Sequence, residues 1–341
     1  MKVIVLGPNY QNYEAASYQY EFMKELHNLS DSYYHYEKSE EITIKELISY
    51  ANFIPNIVFY NHGWLSDNIN LKDLTYAKLK GRWPKDIKKV IFLNKEYVLL
   101  EKKLKEIKKA KFDLIFTHLH YLEKFNNTSI KSKFLPLACS KKIKSNNIYK
   151  KLSDRKYDLY FSGILQNWDN KEKQGDLRKK IQKELFYCIH DFPLLKKLKY
   201  RKLKVYWKPF YKSRIKNKLS NFLHGKRLSQ DDYFNTLSDS KCVLHTSSPM
   251  GIISTRVFEA LGSGAIGLFS EESNANFLFK DNVHFVSFSN IDDLIYKIYQ
   301  IKKSSAFSSF QEIANRGLKY IDNNHTWKNR VLKFRDELSS L

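Results

Sequence analysis

Two side chains three residues apart, Arg256 and Glu259, carry the clearest chemistry in this chain. They lie in the segment STRVFEALG (254–262), just after a small polar loop, TSSPMG (246–251). Helical spacing puts both on one face. A helix start gathers unpaired N–H groups and partial positive charge, so it suits an anion such as a diphosphate. Ser254 and Thr255 can cap that start and add hydroxyl donors, and Ser248 sits in the loop before it. Arg256, in the first turn, offers a forked donor to phosphate oxygens. The plainer alternative is an Arg–Glu pair on a helix surface.

The same stretch holds a G-x-G-x-x-G pattern at Gly262, Gly264 and Gly267. A dinucleotide loop places those glycines after a strand and before a helix. Here they follow a helical segment and open an apolar run, so that reading is rejected. Gly262 and Gly264 are instead expected to let the helix pack closely on a sheet. Elsewhere, Gly163 ends an apolar run where backbone could approach a phosphate. Arg178 and Lys208 are candidate counter-charges, and His224-Gly225 closes a basic segment. For each the alternative is an ordinary surface or strand-end residue. His62, His118 and His120 each follow an apolar run. The H-x-H pair lacks an accompanying carboxylate or cysteine cluster, which argues against metal. Three well-separated cysteines likewise lack ligand spacing and suggest no disulfide framework.

The elements that must position these residues alternate between apolar runs and amphipathic segments. Strands are expected at 2–6, 56–60, 89–93, 112–117 and 134–138, the last an edge because of Pro136. A helix is expected over 14–29. A second should start from a cap at Asn94 and carry Tyr97, Leu100, Leu104 and Ile107 on one face. After a basic, aperiodic stretch at 141–156 the pattern restarts, with strands at 158–162, 204–207, 242–244, 265–269 and 283–288. A helix near 175 contains Arg178. Ser229 and Asp232 have the form of a capping box, and Asn290 caps a helix reaching 302. Such alternation implies parallel α/β sheets with crossovers. The expected architecture is two α/β domains, 1–150 and 151–325, facing a cleft. A C-terminal helix over 326–341 would pack back on the first.

At 341 residues, 43% hydrophobic and 15% aromatic, the chain is expected to fold as two cores rather than remain disordered. No run is long enough for a membrane-spanning helix, and 2–6 reads as a strand rather than a targeting segment. A cytoplasmic protein is expected, with peripheral contact to an anionic membrane face compatible with its charge. That charge is +23, from 59 Lys and Arg against 36 Asp and Glu. Nucleic acid, anionic membrane and anionic glycans would each suit it, as would compositional bias toward Lys. No recognition helix, zinc finger or RNA-binding motif supports nucleic acid as the partner, so none is expected.

The run from Gly225 to Glu271 resembles the nucleotide-binding half of GT-B glycosyltransferases, with its capped helix, strand, TSSPMG loop and STRVFEALGSGA segment. It is closest to the CgeB-like (spore maturation protein) group related to the group 1 glycosyltransferases. YDLYFSG at 157–163 and TWKNR at 326–330 extend the likeness, and FDLIFTHLH followed by FLPLA continues it weakly. The resemblance implies two Rossmann-like domains and a nucleotide-sugar donor on the second. It also implies a glycan or lipid-linked acceptor on the first, with the nucleotide-sugar as co-substrate and no cofactor. Glu259 would then bind the ribose hydroxyls. Arg256, Ser254, Thr255, Ser248, Gly163, Arg178, Lys208 and His224 would surround the rest of the donor. His62 or His118 would take the acceptor proton. No D-x-D occurs, so the metal-diphosphate device of the other major transferase fold is missing. Many group 1 enzymes carry a second Glu eight positions before the helix Glu, where this chain has Gly251, which leaves stereochemistry open. The alternatives are a basic nucleic-acid-binding protein and a GT-B domain that binds sugar nucleotides without turnover.

Overall fold

The computed structural model describes residues 1–11, 17–38, 40–61, 78–93, 95–145, 150–164, 174–181, 184–185, 204–210, 228–303 and 307–340. The chain divides into two compact units. One is Met1–Ala138 with Trp327–Leu341, the other Cys139–Thr326.

The first unit is built on β1 (Lys2–Leu6), β2 (Ser32–Tyr36), β4 (Ile57–Tyr60), β6 (Lys88–Phe92), β7 (Leu114–Thr117) and β8 (Lys131–Phe134). They form a sheet in the order β2-β1-β4-β6-β7-β8, and every pairing is parallel. Its central strands are near-continuous apolar runs because both faces are covered. Two short strands, β3 (Glu41–Thr43) and β5 (Lys78–Lys80), pair separately. Thr43 also caps α2 (Ile44–Ala51) through a reciprocal capping box with Glu46. The core is aromatic: Phe22 of α1 (Ser17–Asn28) packs against Phe59, Phe92 and Phe334.

Several local expectations change here. The edge strand is Lys131–Phe134, not 134–138. Residues 136 and 137 instead offer their carbonyls to the buried Arg330 guanidinium, whose Nε donates to Pro136 O at 2.8 Å and whose Nη2 donates to Leu137 O at 3.0 Å. Helix α3 (Leu100–Ala110) begins after Leu99, a left-handed residue, so Tyr97 lies outside its apolar face. Asn94 is outside the described residues.

The second unit holds β9 (Tyr157–Ile164), β10 (Val205–Phe210), β11 (Ser240–His245), β12 (Ile266–Ser270) and β13 (Val286–Phe288). Its order is β10-β9-β11-β12-β13, again parallel throughout. The short helix α4 (Lys141–Ser145) belongs to this unit, as does Leu152, which joins its core. One sheet face carries Leu159, Phe161, Cys242, Leu244, Ile266 and Leu268 into a core with Leu294, Ile298 and Ala314. The last three come from α8 (Ile291–Lys302) and α9 (Phe307–Asn324). Ahead of these, the described residues also form α5 (Gln174–Ile181), α6 (Gln230–Ser238) and α7 (Thr255–Gly262). The chain ends in α10 (Trp327–Ser339), which returns to the first unit through Trp327 and Phe334 against Phe22.

In each sheet the first strand lies between the second and the third, which makes a topological switch point. Ligands of open parallel sheets gather at the carboxyl ends of strands at such a point. In the second unit it falls between β9 and β11, at Gly163 and His245. In the first it falls between β1 and β4, at Gly7 and Asn61.

Candidate functional site

The site is built where β11 ends. His245 closes the strand and is fully buried. The chain then passes through Thr246 and Ser247, and reverses at Met250 (φ 54°) and Gly251 (φ 68°). Gly251 N–H donates to Ser248 O at 3.0 Å, and Asn274 Nδ2 donates to Gly251 O at 3.1 Å. The left-handed conformation explains why glycine stands at 251. A glutamate there would have to adopt a strained backbone. Buried Ile252 and Ile253 then lead into α7, which is held by Val257, Phe258, Ala260 and Leu261 against the sheet side.

The expected cap on α7 is not formed. Ser254 occupies the cap position with extended backbone but makes no capping hydrogen bond. Its Oγ is buried with no partner among the described residues. Val257 N–H already donates to Ser254 O at 3.1 Å, so the hydroxyl and the amides ahead of Val257 are what the helix start leaves for something else. The Ser229 box is also only half formed. Ser229 Oγ accepts from Asp232 N at 3.1 Å while donating to Asp232 Oδ2 at 2.7 Å. An Asp side chain, shorter than Glu, bonds the hydroxyl here.

Arg178, on α5, lies against this turn and is only 8% exposed. Its Nε donates to Thr246 Oγ1 at 2.7 Å and its Nη2 to Ser247 O at 2.8 Å. Neither acceptor is charged. Burial, and after it the Arg256 charge, lowers its pKa to about 10. Arg256 is half-buried and makes no ion pair among the described residues. Burial, and after it the same two cations, holds the His245 pKa well below its usual range, so the ring is neutral. Both its nitrogens are buried without partners among the described residues. Two guanidinium groups, an orphan hydroxyl and an orphan imidazole thus meet beside an uncapped helix start. That arrangement suits a multiply charged anion.

Glu259 stands one turn further along α7. It does not pair with Arg256; its Oε2 accepts from the Tyr233 hydroxyl of α6 at 2.6 Å. Tyr233 lies near Tyr160 of β9, with ring centroids 6.1 Å apart.

Of the remaining sequence candidates, Gly163 is in β9, in register with Pro209, and Lys208 is in β10 beside Ser162. Thr255 is half-buried as the first residue of α7, and Ser248 is half-buried in the turn. His62 and His224 lie outside the described residues. The rejected glycine motif has packing roles, with one correction. A Cβ on Gly262 would lie 2.3 Å from Cys139 Sγ and 3.5 Å from Ile321, so this glycine admits Cys139 and α9 rather than the sheet. Gly264 turns the chain at φ 67°.

In the first unit, His118 follows β7 and is 5% exposed. Its Nδ1 lies 2.9 Å from Leu135 O. Because a carbonyl only accepts, Nδ1 carries the proton and Nε2 is the basic nitrogen. Burial lowers its pKa, while nearby Glu96 and the Leu135 bond act in the opposite sense. Glu96 Oε1 accepts from Thr117 Oγ1 at 2.6 Å and from His118 N–H at 2.8 Å. His120 is less buried, and its ring lies tilted by 40° against Tyr121 with centroids 3.8 Å apart. Among the described residues no three His, Cys, Asp or Glu side chains come together as a metal site.

Sequence reasoning missed Tyr233, His245, Thr246 and Glu96. His245 had one usable signal, a histidine at the end of an apolar run that opens the TSSPMG loop. The others meet their partners through long-range contacts that no local spacing announces.

Comparison with known proteins bears on the fold. Residues 192–336, under half of the 341-residue chain, match the family model described as glycosyl transferase-like. No curated protein matches the sequence. Among solved structures, sucrose-phosphate synthase from Thermosynechococcus elongatus aligns over 100% of both chains with a TM-score of 0.56 and 11% identity. A glycosyltransferase from Rickettsia africae aligns over 98% of this chain and 96% of its own, with a TM-score of 0.57 and 12% identity. Anabaena HepE in complex with UDP aligns over 100% of both chains, with a TM-score of 0.51 and 12% identity. The fold is therefore that of the GT-B glycosyltransferases, with two Rossmann-like α/β domains.

Proposed function

We propose that this chain is a glycosyltransferase that moves a sugar from a nucleotide-sugar donor to a glycan or lipid-linked acceptor. The observation that carries the reading is the pair of guanidinium groups, Arg178 and Arg256, set around the start of α7 without a carboxylate partner among the described residues. The glycosyl transferase-like match over 192–336 supports it. So do the HepE structures, which hold UDP and UDP-glucose.

In this reading the donor diphosphate is held by the α7 amides, the Ser254 hydroxyl and the two arginines, and Glu259 accepts from the ribose hydroxyls. The bond between the anomeric carbon and the diphosphate oxygen breaks, and its electron pair stays on the departing nucleoside diphosphate. Fixed cations offset that charge, which lets the reaction proceed without a metal. The acceptor oxygen bonds to the anomeric carbon, and its proton passes to a base, for which His118 Nε2 is the choice in the first unit. The basic surface, with a net charge of +23, suits an anionic acceptor or its membrane face. Among the described residues no helix is long and apolar enough to cross a membrane. The CgeB-like relationship remains part of the proposal, supported by the residues from Gly225 to Glu271.

A thermal-shift screen against UDP-, GDP-, CMP- and dTDP-sugars tests the reading. A ligand that binds only the native state raises its midpoint. A rise with one donor class is expected, and no rise with any of them would count against a donor site.

A further inference from the structure

We infer that Tyr233 is a positioning residue for ribose recognition, acting by fixing the Glu259 carboxylate. This rests on the donor-site reading of Glu259 above. Glu259 projects from α7 on a flexible side chain beside Arg256. A carboxylate so placed could swing to that guanidinium, neutralising a phosphate-binding cation and losing its own role. The structure shows a different partner: the Tyr233 hydroxyl donates to Glu259 Oε2 at 2.6 Å.

The choice of a phenol has consequences. A phenol donates one hydrogen bond and leaves the carboxylate charged, occupying one of its roughly four lone-pair sites. Removal from water, and after it the Glu259 charge, raises the Tyr233 pKa well above its usual value, so the donor persists at any ordinary pH. The phenol is itself held from two sides. Its ring lies near Tyr160 on β9, the strand flanking the switch point, and beside Phe234, which is buried. Helix α6 is anchored independently by Phe234 and Leu237, and α7 by Val257, Phe258 and Leu261. Neither helix depends on the phenol–carboxylate bond for its seat. That bond instead sets the direction of one functional side chain.

The test is isothermal titration of UDP, GDP and their 2′-deoxy counterparts into wild type, Tyr233→Phe, Glu259→Gln and the double variant. Wild type should prefer the ribonucleotide. Tyr233→Phe should reduce that preference roughly tenfold, as loss of one charge-assisted hydrogen bond would, while its affinity for the 2′-deoxy ligand stays close to wild type. In the Glu259→Gln background the tyrosine change should add nothing. Equal weakening toward ribo and deoxy ligands, or an undiminished preference in a folded Tyr233→Phe, would overturn the inference and leave the donor site standing. Wild type that binds neither nucleotide would overturn the donor site, and the inference with it. Thermal unfolding checks the fold, and Tyr233→Met gives the same readout should the phenylalanine variant not fold.

Discussion

Arg178 and Arg256 lie within electrostatic reach of each other: burial, and after it the Arg256 charge, draws the Arg178 pKa down to about 10. Proteins rarely bring two cations together in a partly dry place without a carboxylate between them. Arg178 compensates with two neutral acceptors on the β11–α7 turn, Thr246 Oγ1 and Ser247 O. Arg256 makes no ion pair among the described residues. An anion between them would relieve the repulsion, and this gives the donor-site reading its physical basis.

Changing either arginine should therefore separate stability from binding. Arg256→Ala is expected to leave the thermal midpoint unchanged or raise it, because a like-charge contact is lost. The same change should weaken nucleoside diphosphate binding about 10- to 100-fold, the scale of a lost hydrogen bond to a charged group. Arg178→Lys should also weaken binding, since an ammonium cannot span Thr246, Ser247 and a ligand as a planar fork does. Calorimetry on folded variants checks both.

The neutral His245 predicts a pH dependence. Its folded pKa lies well below the ordinary value of about 6.5, from burial first and then the Arg256 and Arg178 charges. The unfolded chain thus binds a proton at mildly acid pH that the folded site resists. Stability from this residue is fully present above about pH 6.5 and is lost as pH falls toward the folded pKa. His118, lowered by burial, adds in the same direction. Thermal midpoints should fall between pH 7.5 and 5.5, on the order of two pH units, and His245→Phe should flatten the slope. A bound diphosphate offsets the two arginines, so nucleotide should protect more strongly at the acid end.

Gly262→Ala should destabilise without touching the donor site. Its new Cβ would fall 2.3 Å from Cys139 Sγ, inside a closely packed contact. Overpacking of this kind typically costs about 1–3 kcal/mol. Thermal unfolding should show a lowered midpoint, while nucleotide affinity at a temperature where the variant is folded should match wild type.

On the proposed reading, His118→Ala should stop transfer while leaving donor binding intact, because the ring belongs to the first unit and the proposed diphosphate ligands to the second. Single-turnover assays alongside calorimetry separate the two. If the variant turns over normally, the base lies elsewhere.

The parts legible in the sequence were those with local causes. Buried parallel strands such as Lys2–Leu6 and Ile57–Tyr60 announce themselves as apolar runs. Asn290 announces its helix, and its side chain does accept from Asp293 N–H at 3.0 Å. Edge strands did not read: Ser32–Tyr36 and Lys131–Phe134 carry polar residues because one side of each is open. At the site, the Arg256–Glu259 spacing was visible because one helix sets it. The Tyr233–Glu259 bond spans 26 residues and the Arg178–Thr246 bond 68, so only the folded sheet brings them together. The missing cap at Ser254 was likewise unreadable, since a serine before a helix ordinarily uses its hydroxyl there.

The central claim is that the start of α7 holds a nucleoside diphosphate through Arg256 and Glu259. The most direct measurement is calorimetric titration of UDP and GDP into wild type, Arg256→Ala and Glu259→Ala, with unfolding curves confirming that all three are folded. The account predicts that wild type binds one of the two nucleotides and that each substitution abolishes or severely weakens that binding. Unchanged nucleotide affinity in both variants would contradict it.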